Sequence, residues 1–230
     1  MINRDVRSLY TVGAMTEKKL KSFGINTVRD IQESKEEVLK HLGKQGRMIV
    51  DLAFGIDDRK VTPYRPEDAK SISREITFQE DVDDFDFLKD VLVLLSLCVE
   101  HRVKRYNLHG QGISLKLTYA DMKGITRSVS VPSCDSAAVI YDESVRLLER
   151  VDHRPVRLIG AGLYNLIGEE NRQLVLEDVI SSYNEAGNEK MHDLLIMLGK
   201  KYDLDFEGHL EEIYKSETLY RTLEYMRKHK

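Results

Sequence analysis

The strictest constraint in this chain is a two-residue alternation. Ile113, Leu115, Leu117 and Tyr119 are apolar, and Ser114, Lys116 and Thr118 between them are polar. Successive side chains of a strand point to opposite faces, so this period predicts a strand with one buried and one wet face. Residues 121–124 read as a turn and 125–131 as the returning strand of a hairpin. Upstream, residues 70–78 place Ile72, Ile76 and Phe78 at even spacing, another strand. Residues 85–105 carry Leu88, Val91, Leu92, Leu95 and Val99 on one helical face, and 136–151 carry Val139, Ile140, Val145, Leu147 and Leu148. Residues 156–163 supply the last strand. The order β-α-β-β-α-β is a split β-α-β arrangement. It predicts an α+β fold with a four-stranded antiparallel sheet, two helices on one face and the other face open.

The flanks have helical periods. Residues 1–64 read as short helices separated by glycine turns. One spans 16–23, with Thr16 as N-cap and Gly24 as C-cap; a second is capped by Thr27 and runs through Val28 and Ile31. A third runs from 34 to 42 and stops at Gly43, and a fourth runs from 45 to 54 and stops at Gly55. Residues 65–69 read as a polar linker beside Pro66, and 70–167 as the sheet domain. The remainder, 168–230, is a helical extension with two stripes: Met191, Leu194, Leu195 and Leu198, then Leu210, Ile213, Tyr214, Leu219, Leu223 and Met226. Such stripes are packing surfaces.

Composition narrows the function classes. The uncharged apolar run 91–99 is about half of what a bilayer requires, so no membrane partner is expected. No apolar stretch follows Met1 as in a secretory leader, and Cys98 and Cys134 form no C-x-x-C pair, which points to the reducing cytoplasm. Net charge is -4, unevenly spread. Residues 1–64 hold 12 basic and 9 acidic groups, 65–167 hold 14 and 16, and 168–230 hold 9 and 14. Phosphate binding depends on local clusters of basic groups rather than on the total. The carboxylates Asp81, Asp83, Asp84 and Asp86 sit together just before a helix, where they favour the helix dipole; a two-metal site would need them to converge from separate elements. No nucleophile elbow or P-loop is present, and Gly110-Gln111-Gly112 and Gly160-Ala161-Gly162 are isolated G-x-G pairs. The residues alone display no catalytic centre.

Two features fit a phosphate backbone. The predicted strands carry Lys70, Arg74, Lys116, Arg127 and Arg157 with hydroxyls at Ser71, Ser73, Ser114, Thr118, Ser128 and Ser130, although Arg74 and Arg127 fall on the apolar parity. An ordinary solvated sheet face fits the same pattern. Thr11-Val12-Gly13, then Thr16-Glu17-Lys18-Lys19-Leu20 and Phe23-Gly24-Ile25, has the form of a helix-hairpin-helix, which offers backbone amides to a phosphate at a helix start. The alternative there is a plain helix-turn-helix packing unit.

Taken in order, these pieces resemble the C-terminal half of a Y-family translesion DNA polymerase of the DinB type. The thumb-like part comprises Tyr10-Thr11-Val12-Gly13, Leu20, residues 23–31 from Phe23-Gly24-Ile25 to Asp30-Ile31, Leu42-Gly43-Lys44-Gln45-Gly46, Ala53-Phe54-Gly55-Ile56-Asp57 and Val61. Lys70-Ser71-Ile72-Ser73-Arg74-Glu75-Ile76-Thr77-Phe78 resembles the motif that opens the family's little-finger domain. Ile125-Thr126-Arg127-Ser128 and Val156-Arg157-Leu158-Ile159-Gly160 stand where that domain has later DNA-facing strands. Thr11 departs from the pattern, because the family has glycine there.

The resemblance implies sequence-independent binding of primer-template duplex DNA as the non-catalytic part of an error-prone polymerase in damage tolerance. It implies that Gly13, Thr16, Lys18 and Lys19 hold primer-side phosphates. Lys70, Ser71, Ser73, Arg74, Thr77, Lys116, Arg127, Ser128 and Arg157 would line a sheet lying in the major groove. The family's palm and fingers, which bind magnesium, precede the thumb, and this chain starts at the thumb. It is therefore expected to need no cofactor of its own and not to polymerise alone. Gln173-Leu174-Val175-Leu176 resembles the peptide that docks bacterial polymerases on the sliding clamp, with Gln173, Leu174 and Leu176 as anchors; the first turn of an ordinary helix is the alternative. Two other readings stay open: a free-standing DNA-binding or clamp-adaptor protein derived from the family, and a ferredoxin-like module that binds only protein.

Overall fold

The computed structural model describes residues 2–63, 65, 68–168 and 177–229, the side chains of 177–185 excepted. The chain divides into two units, Met1–Pro63 and Tyr64–Lys230.

The first unit is helical: a 3-10 turn Val6–Ser8, then α1 (Ala14–Ser22), α2 (Val28–Glu33) and α3 (Lys35–Ala53). Helix α1 begins two residues earlier than its sequence predicts. Gly13 is the N-cap, its carbonyl accepting from Glu17 N at 2.9 Å, and Thr16 lies inside the first turn. The end of α1 is a Schellman motif: Gly24 N donates to Lys21 O at 3.0 Å and Ile25 N to Leu20 O at 3.1 Å, with Leu20 and Ile25 both buried. Thr27 caps α2 as expected, through a capping box in which Asp30 N donates to Thr27 Oγ1 and Asp30 Oδ2 accepts from Thr27 N. The two helices expected over 34–54 are one run broken at Gly43, whose φ of 55° and ψ of -127° only glycine adopts without strain. Val6, Leu9, Val12, Leu20, Ile25, Val28, Ile31, Val38, Ile49, Val50 and Ala53 form one core.

The second unit contains β1 (Ser71–Val82), α4 (Phe85–Arg105), β2 (Leu108–Tyr119), β3 (Gly124–Cys134), α5 (Ala137–Leu148) and β4 (Val156–Gly168). These are followed by α6 (Glu177–Tyr202), α7 (Leu210–Ile213) and α8 (Ser216–Lys228). The sheet order is β1-β4-β2-β3, with every neighbouring pair antiparallel. Strand β4 splits the β1-α4-β2 unit, as expected of this element order. Asp84 caps α4, its Oδ1 accepting from Asp86 N at 2.8 Å and Phe87 N at 3.0 Å. That is the helix-start role read from the carboxylate cluster.

Helices α4 and α5 cover one sheet face. Helix α4 is apolar all round, with Phe87, Leu88 and every residue from Val91 to Val99 buried. A helix of that kind must be covered on both sides. The sheet covers one side, through Ile72, Ile76, Ile113, Leu115, Leu117, Ile159 and Leu163. The other is covered by Met191, Leu195, Leu198, Ile213, Leu219, Leu223 and Met226. The C-terminal stripes are therefore packing surfaces, and the second unit has three layers.

Candidate nucleic-acid interface

In the first unit, α1 opens at Gly13 with no side chain capping its amides. The turn before it places Thr11 at φ 72°, in the left-handed region that favours glycine, and the Thr11 hydroxyl is buried without a hydrogen-bond partner. The sequence departure at this position thus falls on the residue whose backbone favours the family's glycine. Gln45 Nε2 donates to Thr16 Oγ1 at 3.2 Å, and Lys19 Nζ to the His41 carbonyl at 2.8 Å, so the start of α1 lies beside the break in α3. Lys21 is bound by Asp5 at 2.7 Å and Glu17 at 2.8 Å. Lys18 is exposed and has no ion pair or hydrogen bond among the described residues.

In the second unit, register assigns the paired strand residues to faces wherever it is unbroken. The first row of the helix-free face is Ser71, Tyr164, Gly112 and Ser130, and the second is Ser73, Gly162, Ser114 and Ser128. The third is Glu75, Gly160, Lys116 and Thr126, and the fourth Thr77, Leu158, Thr118 and Gly124. The face is lined with hydroxyls, and its central glycines let the strands' side chains pack across it. A Cβ on Gly162 would meet Ser73 Cβ at 2.6 Å, and one on Gly160 would meet Glu75 Cβ at 2.7 Å. Both isolated G-x-G pairs thus contribute to this sheet.

The expected basic set does not lie together on that face. Arg74 and Arg127 belong to the helix-side row Arg74, Ala161, Leu115 and Arg127, which corrects the expectation that both line the open face. The physical reason is unbroken register: no bulge intervenes in β1 or β3 there to reverse parity. Because β1 and β3 are the edge strands, the two arginines stand at opposite margins of the sheet. Arg74 is half-buried, its Nε lacking a hydrogen-bond partner, and Arg127 is exposed, its Nη1 donating only to the Thr126 carbonyl at 3.3 Å. Neither has a carboxylate partner among the described residues.

Arg102 of α4 joins Arg74 at the β1 edge, Nη1 donating to the Ser73 carbonyl at 3.1 Å. Both guanidiniums act on Cys98, whose thiol is nevertheless pushed up to about 11 by burial. Sequence reasoning missed Arg102, because a basic last turn complements a helix dipole and carries no mark of a sheet edge. Lys116 and Arg157 are instead ion-paired to β1, Lys116 Nζ to Glu75 Oε2 at 2.7 Å and Arg157 Nε to Asp81 Oδ1 at 2.6 Å. Lys70, just before β1, is exposed. Gln173, Leu174 and Leu176 lie outside the described residues. No group of three or more His, Cys, Asp or Glu side chains able to hold a metal ion occurs among the described residues, and none of their helices is long and apolar enough to cross a membrane.

An α+β unit with a four-stranded antiparallel sheet and one face left free is the architecture of the little-finger part of Y-family polymerases. A chimeric Y-family DNA polymerase superposes with a TM-score of 0.54 at 23% identity, covering 72% of this chain and 48% of that one. Residues 69–176 match the model of the impB/mucB/samB family C-terminal domain. DNA polymerase IV of Desulfatibacillum aliphaticivorans is 36% identical over 166 residues, 70% of this chain and 41% of that protein. DNA polymerase IV of Alkaliphilus oremlandii is 31% identical over 209 residues, 87% of this chain and 52% of that protein. The chain spans about half the length of the curated relatives it matches.

Proposed function

We propose that this chain holds primer-template duplex DNA without reading its sequence, as the non-catalytic C-terminal part of an error-prone translesion polymerase acting in damage tolerance in the cytoplasm. The observation that carries this reading is the pair of arginines, Arg74 and Arg127, in one row at the two margins of a hydroxyl-lined sheet. Three interstrand spacings separate β1 from β3, about 14 Å. The major groove is about 12 Å wide. A sheet of this width lying over the groove brings each edge to a different phosphate backbone, with Arg74 and Arg102 at one and Arg127 at the other. Hydroxyls over the groove floor contact either strand without preference for a base. The first unit adds a helix-hairpin-helix, with the free amides after Gly13, the Thr16 hydroxyl and Lys18 directed at phosphate.

Such contacts are to the backbone and release counterions, so affinity falls with salt and ignores sequence. Magnesium and the polymerising carboxylates belong, in this reading, to the palm that relatives carry outside the matched half. Gln173, Leu174 and Leu176 would dock the protein on the sliding clamp and raise its local concentration on DNA.

Anisotropy of two labelled primer-templates of unrelated sequence, at about 50 and about 200 mM salt, tests the reading. Four phosphate contacts predict a loss of about a hundredfold between those conditions, equal for both sequences. The Arg74→Glu, Arg127→Glu double variant should lower the salt slope by about 2. Sequence preference, or no binding at the lower salt, would refute it. Binding confined to a clamp-loaded template would favour the adaptor reading.

A further inference from the structure

The two basic groups that β2 and β4 contribute, Lys116 and Arg157, are each held by a carboxylate of β1. The Lys116 contact lies within the open face. Glu75 and Lys116 flank Gly160 in one row, on either side of β4, and the missing side chain at Gly160 lets their pair close over the strand. Lys116 is 49% and Glu75 45% exposed, so the pair sits in water where a phosphate would arrive. Neither residue has a second ion-pair partner among the described residues. An exposed pair of this kind contributes little to stability.

We infer that Glu75 is an internal competitor for phosphate that sets the affinity of the sheet for duplex DNA, an inference that rests on the reading above. Its carboxylate occupies the one cation in the four paired rows of the open face, so a DNA phosphate must displace it to reach Lys116, and once displaced it still stands beside that phosphate and repels it. Asp81 also holds Arg157 in an ion pair near the end of β1. The device keeps duplex affinity low while Lys116 stays in place. The open face itself then gains almost no counterion-release energy, and the margins supply nearly all of it.

The test compares the 230-residue chain with its Glu75→Gln and Glu75→Gln, Lys116→Gln variants, by anisotropy on one labelled primer-template across a salt series. Circular dichroism and melting of each variant confirm that the fold is kept. Freeing Lys116 should tighten binding about three- to tenfold at low salt. It should also steepen the salt slope by about 0.9, one phosphate contact. The double variant should lose both gains. Unchanged affinity and slope in Glu75→Gln, with measurable binding by the parent chain, overturn the competitor role alone. A gain that persists without Lys116 also overturns it, since removal of negative charge then suffices. Absence of binding by the parent and both variants overturns the duplex reading and this inference together.

Discussion

Replacing Thr11 with glycine should stabilise the first unit. Thr11 is β-branched and held at φ 72°, and its hydroxyl is buried without a partner. A left-handed backbone costs a non-glycine residue about 1–3 kcal/mol. A buried hydroxyl with no hydrogen bond costs about 1 kcal/mol or more. Against these gains, glycine loses up to about 1 kcal/mol more backbone entropy on folding. The net expectation is a stabilisation of about 1–2 kcal/mol. In a unit of 63 residues that corresponds to a rise of roughly 4–16 °C in its melting temperature. Thr11→Ala separates the two causes, because alanine removes the hydroxyl and keeps most of the backbone strain. The assay is thermal unfolding of both variants, with hydrogen exchange at the buried amides of Ile49 and Val50 reporting on the first unit specifically. Glycine should exceed alanine by about 1 kcal/mol. Equal stability of the two, or a less stable glycine variant, would show that the strain argument is wrong.

Gly162→Ala should loosen β1 from β4, because its Cβ would lie 2.6 Å from Ser73 Cβ and 3.0 Å from the Ile72 carbonyl; urea unfolding should record a loss of about 1–3 kcal/mol. Leu195→Ala and Leu223→Ala empty fully packed positions against the α4 layer and should each cost the second unit about 2–5 kcal/mol in the same assay. Thr27→Ala removes half of a capping box and should cost the first unit about 1 kcal/mol. The Asp30 carboxyl is held below its ordinary value of 3.8 by the amides of Asn26 and Thr27. Its contribution is therefore complete above that value and lost as pH falls through the lower folded one, and an acid melting series should show this loss in the parent and not in Asp30→Asn.

What was legible in the sequence was whatever one element decides for itself. The period of residues 113–119 gave their strand, the caps at Thr27 and Gly24 gave the ends of two helices, and the stripes at 191–198 and 210–226 gave packing faces, because each signal depends on neighbours no more than about four positions away. Even α4 ends where its pattern does, at Phe85 and Arg105. The candidate site depended on something else. Glu75 meets Lys116 and Asp81 meets Arg157 across 41 and 76 positions, and which strands face one another follows from the order β1-β4-β2-β3. Parity within single strands had already placed Arg74 and Arg127 on the apolar side; only the sheet order shows that this side, at an edge strand, is still open to solvent. The glycines of β4 were legible as residues and not as a surface, since their effect lies in the side chains they allow on β1.

The three-layer arrangement also bears on the net charge of -4, which taken alone opposes a polyanionic partner. Helix α4 is buried on both sides, so α6 to α8 must cover the α4–α5 layer, and the described segment 177–229, with 12 acidic and 7 basic residues, is thereby placed behind it. Along the layer normal, two layer spacings of about 10 Å lie between these helices and the open sheet face, roughly 20 Å in all, while α8 reaches the edge of β1, where Arg227 pairs with Glu80. The Debye length is about 8 Å at physiological salt. Charges more than two screening lengths away contribute little to the potential over the open face, so a polyanion there meets a local field set mainly by the sheet's own charges, the Glu75–Lys116 pair among them. At about 0.01 M salt the screening length grows to about 30 Å and the rear layer is felt at the front. The net charge of the chain therefore opposes binding most where salt is lowest, and the salt dependence of a basic-edged sheet should flatten there.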